Sequence, residues 1–518
     1  MNRRGQVEII QETNPESSSI YTKLFFGLIV LFIIAVGIWY FGFYHNNPNP
    51  LVTPITPVKN ITNSSSSKFL GSPFGTLPGG DSYNQFGAML DDLGIKTVRY
   101  GGIQGVTYWA LEKPENMPPG YPPELLGWDH LDKLYRDTNN AGIEMSVIIN
   151  SDEVPSENSN ESSPTLTSFK GDFTPHATNL TFQQYGDFVK KAVIRYPQVT
   201  YWEIDNEPDI LPKYEPNFLW KGDLTLTDDY AHTVKTAYQA IKSVNPKAKV
   251  ALGAVCTNVD YFEPVLEELA NLSDRPGEKF FDVFNFHLYG DYREYGQKSY
   301  NKNNGMPPAM NLPRIKELLA KYNYSGIEII MTEGGTVSGG NGPDGQTESQ
   351  QAGNLVKRYI YLTSQGVTRH YWYDLNENLR PEAPLDGPTN ALVLMSEGTA
   401  NKKLAYYAYK LMTQKLEGSD WSNVKEIYNK DSVYAYKLTK NGKSIYVLWW
   451  DYFDDASYIS GNMKTVQMSD LGISGSVKLT EGVPKYSTGS EVSDFSSAFN
   501  IKTISGSVSL GENPVYLE

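Results

Sequence analysis

Two glutamates stand where strongly apolar runs give way to loop-forming residues: Glu207 in Tyr-Trp-Glu-Ile-Asp-Asn-Glu-Pro-Asp (201–209) and Glu333 in Ile-Glu-Ile-Ile-Met-Thr-Glu-Gly-Gly (327–335). Cleaving a glycosidic bond takes such a pair, one carboxyl protonated to donate to the leaving oxygen and one ionised to attack the anomeric carbon. Few other reactions need it. Singly neither motif is specific, since each is more often a solvated loop; it is their joint placement that counts. The remaining chemistry-bearing residues point to little else. The six histidines show no His-Glu-x-x-His or similar ligand spacing, and carboxylate pairs such as Asp228-Asp229 and Asp454-Asp455 suit turns or helix starts. Gly334-Gly335 and Gly339-Gly340 lack the Lys-Ser/Thr of a phosphate-cradling loop. Neither a metal nor a cofactor is expected.

Short apolar strand patterns alternate with longer amphipathic ones, the order of a parallel α/β architecture. Strands are predicted at Phe69–Phe74, Lys96–Tyr100, Ile143–Ile149, Val199–Asp205, Val250–Val255, Phe281–Tyr289, Ile327–Thr332 and Thr368–Tyr373. Helices are predicted at Ser82–Leu93, Leu125–Asn140, Phe182–Arg195, Asp228–Val244, Tyr261–Leu272, Leu312–Tyr322, Ser349–Ser364 and Lys403–Leu411. Eight such units predict a (β/α)8 TIM barrel over residues 69–416, with Glu207 ending the fourth strand and Glu333 the seventh. Both tips would open onto the same face. A doubly wound open sheet is the structural alternative. The polar segment Ser151–Asp172 reads as a long surface loop near the rim. After Leu416 the pattern turns to short alternating runs, Ser432–Leu438, Ser444–Trp450, Ser476–Leu479 and Ser505–Leu510, which predict a β-sandwich-like domain over 417–518.

An Asn-Glu-Pro ending one strand and a Glu-Gly-Gly ending another resemble the signature of glycoside hydrolase clan A, the retaining (β/α)8-barrel glycosidases. The run Tyr-Pro-Gln-Val-Thr-Tyr-Trp-Glu-Ile-Asp-Asn-Glu-Pro-Asp (196–209) is most similar to the family 39 type, Val-Arg-Tyr-Gly-Gly (98–102) also resembles families 51 and 79, and Leu-Gly-Glu-Asn-Pro-Val-Tyr-Leu-Glu (510–518) resembles the last strand of an accompanying β-sandwich. Asp205 departs from the pattern, standing where relatives often carry a bulky residue. The resemblance implies Glu207 as general acid/base, Glu333 as nucleophile, Asn206 as the contact to the sugar 2-hydroxyl, and Arg99 as the cation beside the nucleophile. Asn206 could instead shape only the turn, and Arg99 could serve only a structural ion pair. In Phe-Asn-Phe-His-Leu-Tyr-Gly (284–290), period-two alternation sends Asn285, His287 and Tyr289 to one face. By resemblance the Tyr289 hydroxyl supports the nucleophile and His287 lies near the acid/base; a satisfied core histidine is the rival for His287. Trp372 is either an aromatic floor for a sugar ring or a core residue. Trp109 and Tyr108 are similar candidates, and His176 is read as a loop residue.

The charge of −14 over 518 residues and the sequence pI near 5.1 argue against nucleic acid or polyanions as partners, which need Lys and Arg to neutralise phosphates. Tyr at 36 against Phe at 21 suits a wet, sugar-sized cleft as well as it suits an ordinary secreted surface. Cys256, the single cysteine, allows no internal disulfide and reads as a small buried core residue. Residues 24–44 carry no charge and would cross a bilayer as a helix, with Trp39, Tyr40 and Tyr44 at the far interface. Arg3, Arg4 and Lys23 precede that span and the next basic residue is Lys59. The expected layout is a cytoplasmic tail over 1–23, an uncleaved signal anchor contacting the lipid bilayer over 24–44, and a Pro/Ser/Asn-rich stalk over 45–68 holding the catalytic part outside the cell membrane. A cleaved signal peptide is the competing reading, against which the apolar block is long and no small-x-small site follows it. A carbohydrate is then the expected substrate, β-linked by the resemblance. A non-catalytic sugar-binding or envelope scaffold, and a transglycosidase, are the competing functions.

Overall fold

In this computed structural model the described residues are 71–80, 82–114, 123–150, 181–209, 225–256, 259–289, 312–339, 346–376, 391–396, 399–451 and 462–518. The expected anchor over 24–44, the stalk, the insertion after the third strand and His176 lie outside them. Among the described residues no helix is long and apolar enough to cross a membrane.

Eight strands lie side by side in parallel: β1 (Phe74–Thr76), β2 (Thr97–Tyr100), β3 (Glu144–Asn150), β4 (Tyr201–Ile204), β5 (Lys249–Leu252), β6 (Val283–Tyr289), β7 (Glu328–Gly335) and β8 (His370–Trp372). Because β1 pairs with both β2 and β8, the sheet closes on itself. A doubly wound open sheet is thereby excluded. Helices α1 (Tyr83–Leu93), α2 (Asp129–Asn140), α3 (Phe182–Arg195), α4 (Thr225–Val244), α5 (Phe262–Asn271), α6 (Leu312–Lys321), α7 (Glu348–Ser364) and α8 (Leu404–Leu416) follow the strands in turn. Their buried residues recur at helical spacing, as in Leu131, Leu134, Tyr135 and Thr138 of α2, so one stripe of each faces inward. Ser82, Thr181 and Thr347 start α1, α3 and α7 with capping boxes closed by Gln85, Gln184 and Gln350.

Two strand positions differ from expectation for a physical reason. Register rather than apolarity places β1: Phe74 pairs with His370 and Thr76 with Trp372, so the strand begins where the predicted run ends. β7 continues past Thr332 to Gly335, and Glu333 sits within it rather than beyond its tip. Opposite β6 the register slips by one, with Phe286 facing Met331 but His287 facing Glu333. Thr332 is the extra residue of this bulge.

Beyond α8 the chain forms β9 (Lys425–Lys430), β10 (Val433–Lys440), β11 (Lys443–Trp450), β12 (Lys464–Gln467), β13 (Ser476–Glu481), β14 (Ile501–Ser505), β15 (Ser507–Leu510) and β16 (Val515–Leu517). Six of them make one antiparallel sheet in the order β9-β10-β11-β16-β13-β14, and β12 pairs with β15. Alternation divides β10 cleanly. Tyr434 and Tyr436 join Trp449 and Tyr516 in the core shared with the barrel helices, whereas Val433 and Ala435 face a second core with Leu448 and Leu517. The carboxylate of Glu348, at the start of α7, accepts 2.8 Å hydrogen bonds from the backbone of Leu404 and of Gly489.

The barrel interior is graded. At one end Arg369 bridges Glu144 and Glu328 at 2.7 and 2.9 Å. Above this lies a small apolar layer of Tyr201, Ala251, Val283 and Ile330. The next layer, toward the strands' carboxyl ends, is polar and buried: Arg99, Ser146, Glu203, Asn285 and Thr332.

Candidate active site

Arg99 is 1% exposed, and a buried guanidinium needs every donor engaged. Its Nε reaches both oxygens of Glu203 at 2.9 and 3.1 Å, Nη1 reaches Glu333 Oε1 at 2.6 Å, and Nη2 reaches Asn206 Oδ1 at 2.7 Å. One side chain from β2 thus grips β4, the loop after it, and β7. Glu203 is fully buried and also accepts from Ser146 Oγ at 2.6 Å and Asn285 Nδ2 at 2.9 Å. Arg99 is therefore both a structural ion pair and a neighbour of Glu333.

Glu333 receives the Tyr289 hydroxyl on Oε2 at 2.5 Å, and His287 Nδ1 lies 3.6 Å from that oxygen. Burial alone would raise its proton affinity. The neighbouring His287 imidazole and the Arg99 charge, with hydrogen bonds from Tyr289 and Arg99, outweigh burial and hold Glu333 below the usual carboxylate range. Burial, then Glu333 itself, pushes the Tyr289 phenol well up, so it stays a donor.

Glu207 reaches the same space from the loop after β4. Asp205 and Glu207 take left-handed backbone conformations, φ 63° and 47°, at a cost of about 1–3 kcal/mol each. Several contacts keep the loop there. Tyr230 of α4 donates to the Ile204 carbonyl at 2.9 Å and accepts from Gly253 N at 2.7 Å. A side chain on Gly253 would meet the Ile204 and Asp205 carbonyls at 2.6 and 2.8 Å. Asp209 accepts from the Cys256 backbone at 3.1 Å. The result is a bond of 2.6 Å between Glu207 Oε1 and His287 Nδ1.

The side-chain oxygens and Nδ1 through which Glu207, His287 and Glu333 approach one another all lie within 4.8 Å. Two carboxylates at that distance, one gripped by a guanidinium and the other joined to an imidazole, can divide nucleophilic and proton-transfer work. The same trio is compact enough to surround a cation, yet Arg99 and Tyr289 already engage both oxygens of Glu333, and a guanidinium there repels a metal ion.

The family model described as "Cellulase (glycosyl hydrolase family 5)" matches residues 62–378. The chain belongs to that family. This family 5 hydrolase is similar in fold to several clan A glycosidases of known structure. A family 39 glycoside hydrolase from Bacteroides cellulosilyticus WH2 is 16% identical, over 86% of this chain and 80% of that one, with a TM-score of 0.56. The family 39 enzyme from Xanthomonas axonopodis pv. citri is 14% identical over 88% and 94%, TM-score 0.53, and a family 39 β-xylosidase from Caulobacter crescentus is 15% identical over 87% and 96%, TM-score 0.52. No curated protein sequence matches it.

Six of the expected site residues of this family 5 hydrolase come together: Glu207, Glu333, Asn206, Arg99, His287 and Tyr289. Trp372 does not line an open floor. It is fully buried, and period two puts it on the same side of β8 as His370, while the Tyr371 hydroxyl lies 2.8 Å from Thr97 inside the barrel. The half-buried ring at the mouth is instead its neighbour Tyr373, edge-on to Tyr289 with centroids 6.1 Å apart. Trp109 belongs to the helical turn Tyr108–Glu112, and its side chain lies outside what is described; Tyr108 packs edge-on against Phe188 of α3. Cys256 is a correction. It is only half-buried, and burial together with the charges of Glu207 and Asp209 drives its thiol well up, which places it beside the site rather than in the core. Glu203 and Thr332 escaped the sequence reading. A charged residue inside the apolar run Tyr-Trp-Glu-Ile (201–204) was the available signal for the first, because such a charge must find a buried partner.

Proposed function

We propose that this glycosidase is a retaining enzyme acting on β-linked oligo- or polysaccharide. Glu207 donates its proton to the glycosidic oxygen as Glu333 attacks the anomeric carbon and the leaving sugar departs. Glu207, now a carboxylate, then takes a proton from water, whose hydroxide displaces Glu333 from the covalent glycosyl-enzyme. The observation carrying this reading is the approach of the two glutamates to within 4.8 Å. That close approach supports the roughly 5–5.5 Å carboxyl spacing of double displacement over the about 6.5–9.5 Å of an inverting pair. Asn206, whose oxygen is held by Arg99, keeps its amide hydrogens for a sugar hydroxyl. Half-buried Tyr373, edge-on to Tyr289, is the aromatic residue best placed to meet a sugar ring. The uncharged run over 24–44 supports a membrane-anchored form with the catalytic part outside the cell.

The test is a panel of chromogenic β-xylosides, glucosides, mannosides and galactosides with the purified protein. Glu333→Gln should abolish turnover, and Glu207→Ala should retain activity only toward aryl glycosides with good leaving groups, which need little protonation. Full activity in both variants would reject the assignment.

A further inference from the structure

Beneath the two glutamates the hydrogen bonds can run in one direction only. Glu203 is ion-paired with Arg99, so toward Asn285 it can only accept, and the Asn285 amide must present Nδ2 to it, at 2.9 Å. The Asn285 carbonyl oxygen then faces Thr332, whose hydroxyl donates to it at 2.7 Å. With its hydrogen spent, Thr332 Oγ1 can only accept from its other neighbour, His287 Nε2, at 3.2 Å. A neutral imidazole protonated at Nε2 has a bare lone pair on Nδ1, and Nδ1 is the atom 2.6 Å from Glu207.

Resting on the reading of Glu207 as the acid/base, we propose that Thr332 is a positioning residue: it fixes His287 with a hydrogen on Nε2, so that Nδ1 and Glu207 Oε1 hold one proton between them, the proton delivered to the leaving oxygen. The ring makes the protonated arm of the reaction the bonded one. After transfer, Glu207 is a carboxylate facing a bare Nδ1, an unfavourable contact that is relieved when water returns a proton. Among the described residues the groups facing this bridge are few. Arg99 from β2 is engaged by Glu203 and Glu333, Asp205 and Asp209 lie in the loop after β4, Cys256 approaches from the end of β5, Tyr289 from β6, and Glu333 from β7. Glu333 Oε2, 3.6 Å from Nδ1, helps keep the proton in the bridge.

Replacing the hydroxyl by a methyl removes the acceptor for Nε2–H. Thr332→Val lets the neutral ring move its hydrogen to Nδ1, from which it donates to an ionised Glu207, and the bridge loses its extra proton. The basic limb of kcat/KM should then move to lower pH. At pH 7, turnover of the phenyl glycoside of the best sugar in the panel should fall at least about tenfold, a part of the roughly 10²–10⁴-fold that general acid catalysis contributes. The 2,4-dinitrophenyl glycoside should be nearly unaffected, and Thr332→Ser should restore both. A basic limb that stays in place, with equal losses on both substrates, would overturn the proposal. Should Thr332→Val not fold, 15N spectra of the unaltered full-length protein labelled at histidine, with the His287 signals assigned through His287→Gln, decide the matter. A hydrogen-bearing Nε2 is expected, and a bare Nε2 with the hydrogen on Nδ1 would refute it. Failure of the parent reading looks different, since Glu207→Ala would then lose both aryl glycosides alike or neither.

Discussion

Replacing Tyr289 by phenylalanine isolates one contact to the nucleophile. The hydroxyl gives Glu333 Oε2 a 2.5 Å bond and holds no other partner among the described residues, so the variant keeps the ring and its edge-on packing with Tyr373. A hydrogen bond to a charged acceptor contributes about 1.5–3 kcal/mol. Because Glu333 remains 12% exposed, water can occupy the vacated acceptor, and the lower end applies. At 1.36 kcal/mol per pH unit, a loss of about 1.5 kcal/mol moves the ionisation controlling the nucleophile by about one unit. The direction follows from the sign: the lost bond favoured the ionised form, so more alkaline solution is needed to reach it. The acid limb of kcat/KM, which reports the free enzyme, should shift upward by about one pH unit while the alkaline limb stays in place. Measuring initial rates on an activated aryl glycoside from pH 3 to 9 would show it. An acid limb that coincides in variant and parent would refute the claim that Tyr289 helps ionise Glu333.

Gly334→Ala would place a Cβ 2.4 Å from the Leu288 carbonyl and 2.9 Å from the Met331 side chain; since the carbonyl belongs to β6 and cannot swing away, thermal unfolding should show a loss of about 1–3 kcal/mol, together with reduced turnover from a displaced Glu333. His370, buried between β8 and α7 with Thr363 Oγ1 3.0 Å from its Nε2, is pulled down to about 3, by burial above all. Its unfolded value is near 6.5, so the stability it contributes is complete above that pH and is lost as pH falls from 6.5 toward 3, reaching about 2 kcal/mol lost by pH 5. Chemical unfolding at pH 7 and pH 5 should therefore show a smaller acid penalty for His370→Gln than for the parent, by about that amount, and an equal penalty in both would count against it.

What the sequence made legible was whatever period two alone determines. Asn285, His287 and Tyr289 share a face because the backbone of β6 is regular, and Arg99, lone cation in Thr-Val-Arg-Tyr, had to find carboxylates. The helices were equally plain where the apolar stripe and the cap agree, as at Thr181 and Phe182–Arg195. Trp372 was ambiguous because an aromatic residue at a strand end packs equally well on a sugar or under a helix, and only closure of the barrel decides. Thr332 was hidden for a different reason. Strict alternation turns Thr332 and Glu333 to opposite faces, and the slipped register that brings both inward is a property of β7 against β6 and β8, invisible in β7 alone. β9 and β14 carry few buried apolar residues, so as sheet edges they left little pattern to read.

That slipped register gears the two halves of the chemistry together. The side chain that attacks the sugar and the one that orients the imidazole are consecutive along the backbone, so a slide or twist of β7 cannot alter the reach of the attacking oxygen without also disturbing how its distant partner holds hydrogen. Adjusting such an enzyme to a bulkier or tighter substrate by moving this strand would cost it twice, and room for change lies in the segments around the rim.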